Sequence, residues 1–381
     1  MFKKIITNIR LKIVVSVRLF SYSDSIMQGI LKSYLGHNKI IHFQNNLPVV
    51  SLLTPPLFSK PSANFFSKLF QGVIQNRTFP FFVSLAVSDT CNVSCSHCSF
   101  YSSAKKQVRH LLTIEECKKS IADAQTLGAT VIAFVGGEPL LRDGFEEIIQ
   151  SVDKNLSVTT VFTNGWFLKE KAQKLRSAGL NNVYVSIDSS NKDKHDEIRG
   201  KKGLFEKAIR GIKAAKECGL TVGISCCISK EDFASGELNR IIELGKKIGV
   251  HEIMIFDKIP TGRLGNCEEL VDNNWGNIIV SSVEKYNNDQ SYPGIVSYAY
   301  TSNYQGYGCI GGTRYLYISP YGDIAPCDFN HATFGNLLEE PLYAIWDQMS
   351  SLKEFRQATW GGCKLKNSRY RNNPNIVKSS F

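Results

Sequence analysis

Two periodicities alternate along the chain between residues 81 and 260. Short runs rich in β-branched and aromatic residues, at 82–88, 130–135, 157–162, 183–188, 221–229 and 252–256, predict strands. Between them, apolar positions three and four apart predict helices beginning near Thr113, Asp143, Leu168, Leu204 and Glu237. Thr113-Ile-Glu-Glu116 is a capping box at the start of the first helix. Gly128, Gly179, Gly219 and Gly249 each follow a helical run, where a left-handed terminal residue favours glycine.

Such alternation means βα units and a parallel sheet. Six units of about 30 residues fall short of the eight that close a barrel in about 250 residues. The prediction is an α/β fold, a partial (βα)6 TIM-like barrel over 81–262, with its site at the carboxyl ends of the strands. After residue 260 the alternation stops. A connecting segment, 263–300, leads to a small α+β domain at 301–363, where runs at 315–319 and 324–326 around Pro320-Tyr-Gly-Asp323 predict a hairpin.

Composition is that of a globular protein, 43% hydrophobic with 29 glycines. Charge is confined to the ends. Residues 1–80 carry +9 and the tail at 364–381 carries +5, which leaves −3 for 81–363 out of a total of +11. The central body is therefore no nucleic-acid surface, and no nucleic-acid partner is expected. Residues 1–80 read as a basic, helical N-terminal extension. Its first twenty residues place Ile5, Ile6, Ile9, Ile13 and Leu19 between basic ones at helical spacing. This suits an amphipathic helix on an anionic membrane surface, a helix packed on the main domain, or an acid-poor transit peptide. No apolar run approaches the ~20 residues of a membrane span.

Eleven cysteines, an odd number with no secretory signal before them, argue against a disulfide framework. Metal ligation in a reducing, cytoplasmic compartment fits better. Cys91, Cys95 and Cys98 form a C-x3-C-x2-C loop directly after the first strand. Three soft thiolates without a fourth suit a metal centre with an open position. His97 beside Cys98 leaves a Cys3His zinc site as an alternative.

The next strand ends carry further polar groups. Gly136-Gly-Glu-Pro139 follows the second strand, with glycines that admit a close backbone approach and Glu138 able to accept from an ammonium. It also reads as an ordinary strand-to-helix turn. Thr163-Asn164-Gly165 follows the third strand. Ser186 and Asp188 alternate with apolar neighbours on the fourth, and Arg199 nearby can grip a carboxylate. His195 is expected on the surface at a helix start.

Taken together, Cys91-x3-Cys95-x2-Cys98, Gly136-Gly-Glu-Pro139, Thr163-Asn-Gly165 and Ser186-x-Asp188 resemble the radical S-adenosylmethionine (radical SAM) superfamily over roughly residues 80–260. The resemblance implies a [4Fe–4S] cluster on the three cysteines, with S-adenosylmethionine chelated to its unique iron and cleaved to a 5′-deoxyadenosyl radical that abstracts hydrogen. It implies that Gly136, Gly137 and Glu138 meet the methionine amino group. Asn164, Ser186, Asp188 and Arg199 become candidates for the remaining cofactor contacts, and His97 lies where the family keeps a side chain near the adenine. An electron donor such as flavodoxin or ferredoxin is implied as partner. The family's glycine-rich motif on the fifth strand is degenerate here.

Gly308-Cys-Ile-Gly-Gly312, Tyr317 to Cys327, Gly335-Asn336 and Ile345-Trp346 resemble the start of a SPASM or twitch domain, which holds auxiliary iron–sulfur clusters. Cys309, Cys327 and Cys363 are the implied ligands of one such cluster, with Cys267 a candidate fourth. Cys117, Cys218, Cys226 and Cys227 read as core residues. The expected substrate is a peptide, a protein or a biosynthetic precursor, or a lipid-linked molecule if the N-terminal region meets a membrane. The competing class is a non-catalytic iron–sulfur binding module.

Overall fold

A computed structural model of the chain describes residues 39–100, 109–265, 273–297, 309–356, 362–373 and 376. The amphipathic stretch at 1–20 and Cys267 lie outside these residues.

All six predicted strands form: β3 (Phe82–Ser88), β4 (Val131–Gly136), β5 (Val158–Thr163), β6 (Asn182–Ser186), β7 (Thr221–Ile228) and β8 (Glu252–Asp257). They pair in order, all parallel. Two short strands precede them, β1 (His42–Gln44) and β2 (Leu47–Val49), and then helix α1 (Lys60–Gln75). The crossover helices are α2 (Ile114–Leu127), α3 (Phe145–Gln150), α4 (Leu168–Ser177), α5 (Lys192–Arg199), α6 (Leu204–Glu217) and α7 (Glu237–Ile248). Thr113 and Glu116 cap α2 reciprocally, as the sequence predicts. Strands β4 to β7 are buried along most of their length on both faces, so their burial does not alternate, and buried Thr159, Thr160, Asn182 and Thr221 stand among the apolar residues.

The repeat continues one step further than its sequence signal. Helix α8 (Asn273–Asn288) leads to β9 (Gly294–Val296), three residues long, which pairs parallel with β8. At the other edge, β10 (Tyr315–Ile318) and β11 (Ile324–Ala325) form the predicted hairpin. The hairpin is no separate layer, because β10 pairs parallel with β3, Leu316 opposite Val83 and Ile318 opposite Leu85. Among the described residues one sheet of nine strands results, in the order β11-β10-β3-β4-β5-β6-β7-β8-β9, with β11 and β9 at its two edges. Strand spacing alone could not reveal this, since β9 and β11 are too short to show a period.

The N-terminal extension is not purely helical. Residues 39–57 cross the amino ends of the strands. Ile41, Val49 and Leu52 pack with Tyr184 and Met254, and the carbonyl of Leu52 accepts from Thr160 Oγ1 and Asn182 Nδ2, both at 3.2 Å. Lys39 is 3% exposed. Its ammonium donates to the carbonyls of Tyr286, Asp289 and Tyr292 at 2.8, 3.0 and 3.1 Å, so this charge is no part of a basic surface. Among the described residues no helix is long and apolar enough to cross a membrane.

Candidate functional site

The cysteine loop follows β3 at the carboxyl edge of the sheet and is held from two sides. Ser94 and Ser96 donate their amides to the carbonyls of Arg199 and Ile198 at the end of α5, each at 3.0 Å. From the other side Arg263 donates its amide to the carbonyl of Cys98 at 3.0 Å and its guanidinium to Ser94 Oγ and the carbonyl of Cys95, both at 2.9 Å. Cys91 is exposed, Cys98 half-buried and Cys95 buried. Burial pushes the Cys95 thiol up, while the Arg199 guanidinium, 3.6 Å from its sulfur, pulls it back toward thiolate.

Gly136 and Gly137 line the cavity and also pack closely against the backbone of the cysteine loop. The amide of Gly137 donates to Ser88 O at 2.8 Å and that of Glu138 to Thr90 O at 2.7 Å. A Cβ on Gly137 would stand 2.1 Å from Thr90 O. The missing side chains let the end of β4 lie flat against the root of the cysteine loop, so the close approach is backbone to backbone. Glu138 is 1% exposed, and its carboxylate accepts from Thr163 Oγ1, Asn164 N and Leu140 N at 2.6, 2.8 and 3.1 Å. Burial pushes its pKa up. Asn164 donates to Asn92 Oδ1 at 2.8 Å and so ties the third strand end to the same loop.

Asp188 lies just past β6, 1% exposed. It accepts from Arg199 Nε at 2.5 Å and Cys227 N at 2.9 Å, with His97 Nε2 at 3.5 Å. Burial alone would raise its pKa, but the adjacent Arg199 and His97 outweigh it and hold the carboxyl well below its usual range. Asp188 thus orients Arg199, which in turn faces Cys95. Ser186 sits 3.4 Å from Ser225 Oγ across the strand pair. His195, expected on the surface, is fully buried. Its Nδ1 accepts the Asp188 amide at 3.2 Å, and its Nε2 has no partner among the described residues. The sequence misleads here because α5 packs its one buried side chain inward from an otherwise charged helix.

These groups surround a cavity of about 990 Å³. Cys91, Cys95, Cys98, His97, Gly136, Gly137, Glu138, Asn164, Ser186 and Arg199 all line it, whereas Asp188 stands behind Arg199. Phe162, Met254 and Phe256 form one apolar wall. Tyr315, Tyr317, Asp328, Phe329 and His331 of the C-terminal region also line the cavity, with the Phe329 ring against Phe256. Tyr315 donates its hydroxyl to Asp328 Oδ2 and shares a 2.8 Å hydrogen bond with Ser84. Asp328 Oδ1 is buried without a partner among the described residues, and burial pushes this carboxyl up to about 6. Sequence reasoning missed Asp328 and Arg263; only the adjacency of Asp328 to Cys327 could have pointed to it.

Cys309 and Cys327 both lie beside Gly311. Cys309 and Cys327 both act electrostatically on the Cys363 thiol, which burial drives well above its usual value, and burial drives Cys327 to about 12. None of the three lines the cavity. The described residues directly after Cys363 are packed on the fold: Lys364 is 4% exposed and donates to the carbonyls of Glu354 and Phe355 at 2.7 and 3.1 Å. Cys117 and Cys226 are buried as expected, although Cys226 and Cys227 also reach the cavity wall.

The residues fit the cluster and cofactor that the sequence implies. Three thiols open from one loop onto a cavity large enough for a nucleoside-sized ligand, and a guanidinium beside Cys95 favours its thiolate. Among the described residues, no three His, Cys, Asp or Glu side chains converge on a point one ion could fill, in either cysteine set.

Residues 85–234 match the model of the radical SAM superfamily, and residues 309–372 match that of an iron–sulfur cluster-binding domain, SPASM. An AdoMet-dependent heme synthase of Methanosarcina barkeri is 29% identical over 300 residues, covering 73% of this chain and 85% of that protein. A GTP 3′,8-cyclase of Peptoclostridium acidaminophilum is 31% identical over 210 residues, 54% of this chain and 64% of that one. Among solved structures, Streptococcus suis SuiB bound to S-adenosylmethionine superposes with a TM-score of 0.64 at 16% identity, covering 84% of this chain and 81% of that one. At that identity the likeness establishes the fold.

Proposed function

Since this chain is an enzyme of the radical SAM superfamily that carries a SPASM domain, we propose that it abstracts hydrogen from a peptide, protein or biosynthetic-precursor substrate held between its two regions. The carrying observation is the shared cavity, lined both by the Cys91–Cys98 loop and by Tyr315, Asp328 and Phe329. A cluster held only for structure would need no such space, which weighs against a non-catalytic module.

Cys91, Cys95 and Cys98 would hold the [4Fe–4S] cluster, and Cys309, Cys327 and Cys363 an auxiliary one. When bound, the cluster and S-adenosylmethionine supply a 5′-deoxyadenosyl radical after one electron arrives from a donor such as flavodoxin or ferredoxin. Arg199, oriented by Asp188, stabilises the Cys95 thiolate and presents a cationic group to the cofactor's carboxylate. Ser186 would meet the carboxylate or ribose and His97 would lie near the adenine, with Asn164 a further candidate contact. Glu138 already accepts three hydrogen bonds from protein, so an ammonium from the cofactor would share its Oε1 or Oε2 rather than find them idle. The apolar walls exclude water and leave Asp328 Oδ1 as a buried acceptor. The substrate therefore presents an apolar or aromatic face and an N–H or O–H donor.

The M. barkeri relative is named for heme synthesis and SuiB was solved with a precursor peptide, so the two point to different substrate classes. Anaerobic reconstitution, iron and sulfide counting, and an assay for 5′-deoxyadenosine after reduction test the enzyme reading. A fully loaded, reduced protein that forms none sinks it. A lipid-linked substrate gains support only if anionic vesicles capture the protein through residues 1–20 in a salt-dependent way.

A further inference from the structure

The end of β8 and the turn after it touch both cysteine sets. Asp257, the last residue of β8, forms a buried ion pair with Lys366, the two side chains 3% and 7% exposed. Lys366 closes the turn that begins at Cys363, donating its amide to the Cys363 carbonyl at 3.1 Å. Next to Asp257, the Phe256 ring meets Phe329 edge to face at 5.9 Å, and Thr261 donates its hydroxyl to the Phe329 carbonyl at 2.7 Å. Phe329 is two residues from Cys327. Two residues beyond Thr261, Arg263 makes the contacts to Ser94, Cys95 and Cys98 already described. Gly262 is pressed so closely to the loop that a Cβ there would stand 2.3 Å from the Cys98 carbonyl.

We propose that residues 256–264 are a strap that couples the auxiliary cysteine set to the Cys91–Cys98 loop, with Lys366, Thr261 and Arg263 as its positioning residues. The argument is mechanical. The strap has too few residues to absorb a shift at one end without passing it on, and both ends are fixed by buried or short polar contacts. Displacing the Cys363 turn would pull Asp257 and, through Thr261 and Arg263, reorient the carbonyls of Cys95 and Cys98. Binding at one centre then changes affinity at the other, reciprocally. The inference rests on the reading that the loop holds a cluster and S-adenosylmethionine.

The test measures S-adenosylmethionine affinity and the change it causes in the electron paramagnetic resonance spectrum of the reduced Cys91–Cys98 cluster, in protein shown by iron and sulfide analysis to be fully loaded. Lys366→Met is expected to weaken binding by about tenfold and to diminish the spectral change, within the range of ordinary coupling between sites. Lys366→Arg restores both. Thr261→Val, which leaves no buried charge unpaired, shifts both in the same direction by less, and it decides the matter if Lys366→Met does not fold. Variants that bind and respond like wild type overturn the strap while leaving the function intact. Wild-type protein that binds no S-adenosylmethionine overturns the site reading and the strap with it.

Discussion

The two cysteine sets are built on opposite plans. Cys91, Cys95 and Cys98 lie on one loop of eight residues that opens onto the cavity, while Cys309, Cys327 and Cys363 come from three places spread over 55 residues and do not line the cavity. The first set is local in sequence but depends on distant groups for its shape: Arg199 and Ile198 from α5, Arg263 after β8, and Thr90 against Gly137. The second is distant in sequence, with Gly311 beside both Cys309 and Cys327 and a tight turn following Cys363. A short loop can expose its metal to a second ligand because its ligands come from one side. A set gathered from three segments encloses what it binds.

Removing a ligand from each set should break the comparison most sharply. Cys91→Ala is expected to abolish 5′-deoxyadenosine formation and lose roughly half the iron, whereas Cys327→Ala loses the other half and still forms a cluster that binds S-adenosylmethionine. If either change empties both sites, the two are one unit and the contrast fails.

Gly137→Ala tests whether the open set depends on backbone packing. Thr90 O cannot retreat without losing its 2.7 Å bond from the Glu138 amide, so the variant should lose about 3 kcal/mol in chemical denaturation and load the first cluster poorly while the auxiliary one still forms. Arg199→Gln leaves Asp188 buried without its cation, with an expected cost of about 3 kcal/mol. S-adenosylmethionine affinity should fall with it, while the auxiliary iron remains.

The smallest effect belongs to a control far from both sets. Burial pushes Glu252 up to about 7 at the amino end of β8, where its carboxylate accepts from Leu52 N at 2.9 Å and from the Tyr184 hydroxyl. The folded state holds the proton more tightly than the unfolded chain, whose carboxyl titrates near 4.5. Stability from this group is therefore complete below about pH 4.5 and is lost as pH rises through about 7. Glu252→Gln should flatten that stretch of the stability–pH curve by about 1–3 kcal/mol and leave both iron contents unchanged. A change in either content would mean that the floor of the barrel also shapes the cysteine loop.

Much of the barrel was legible because each strand and helix carries its own period and its own punctuation, as the capping box at Thr113 and the glycine after α2 illustrate. The candidate ligands were legible for the same local reason. Three thiols within eight residues have few other uses. What stayed hidden is relational. His195 reads as a surface residue until α5 is seen to turn it inward, and Asp328 goes unnoticed until Tyr315 is seen to take one oxygen while the other is left buried without a partner among the described residues. Lys364 and Lys366 read as a basic tail, yet both are buried.

The amino-acid sequence by itself determined the βα repeat, the place of the Cys91–Cys98 loop at the carboxyl edge of the sheet and the chemistry of its ligands, because these follow from spacing within a few residues. Only the tertiary structure decided that β10 joins the same sheet through β3 and so brings a C-terminal wall over the cavity. It alone decided that the glycines after β4 make room for Thr90, and that one turn after β8 touches both cysteine sets. These are contacts between segments far apart in the chain, chosen by packing and buried hydrogen bonding across the whole fold, and no local pattern encodes them.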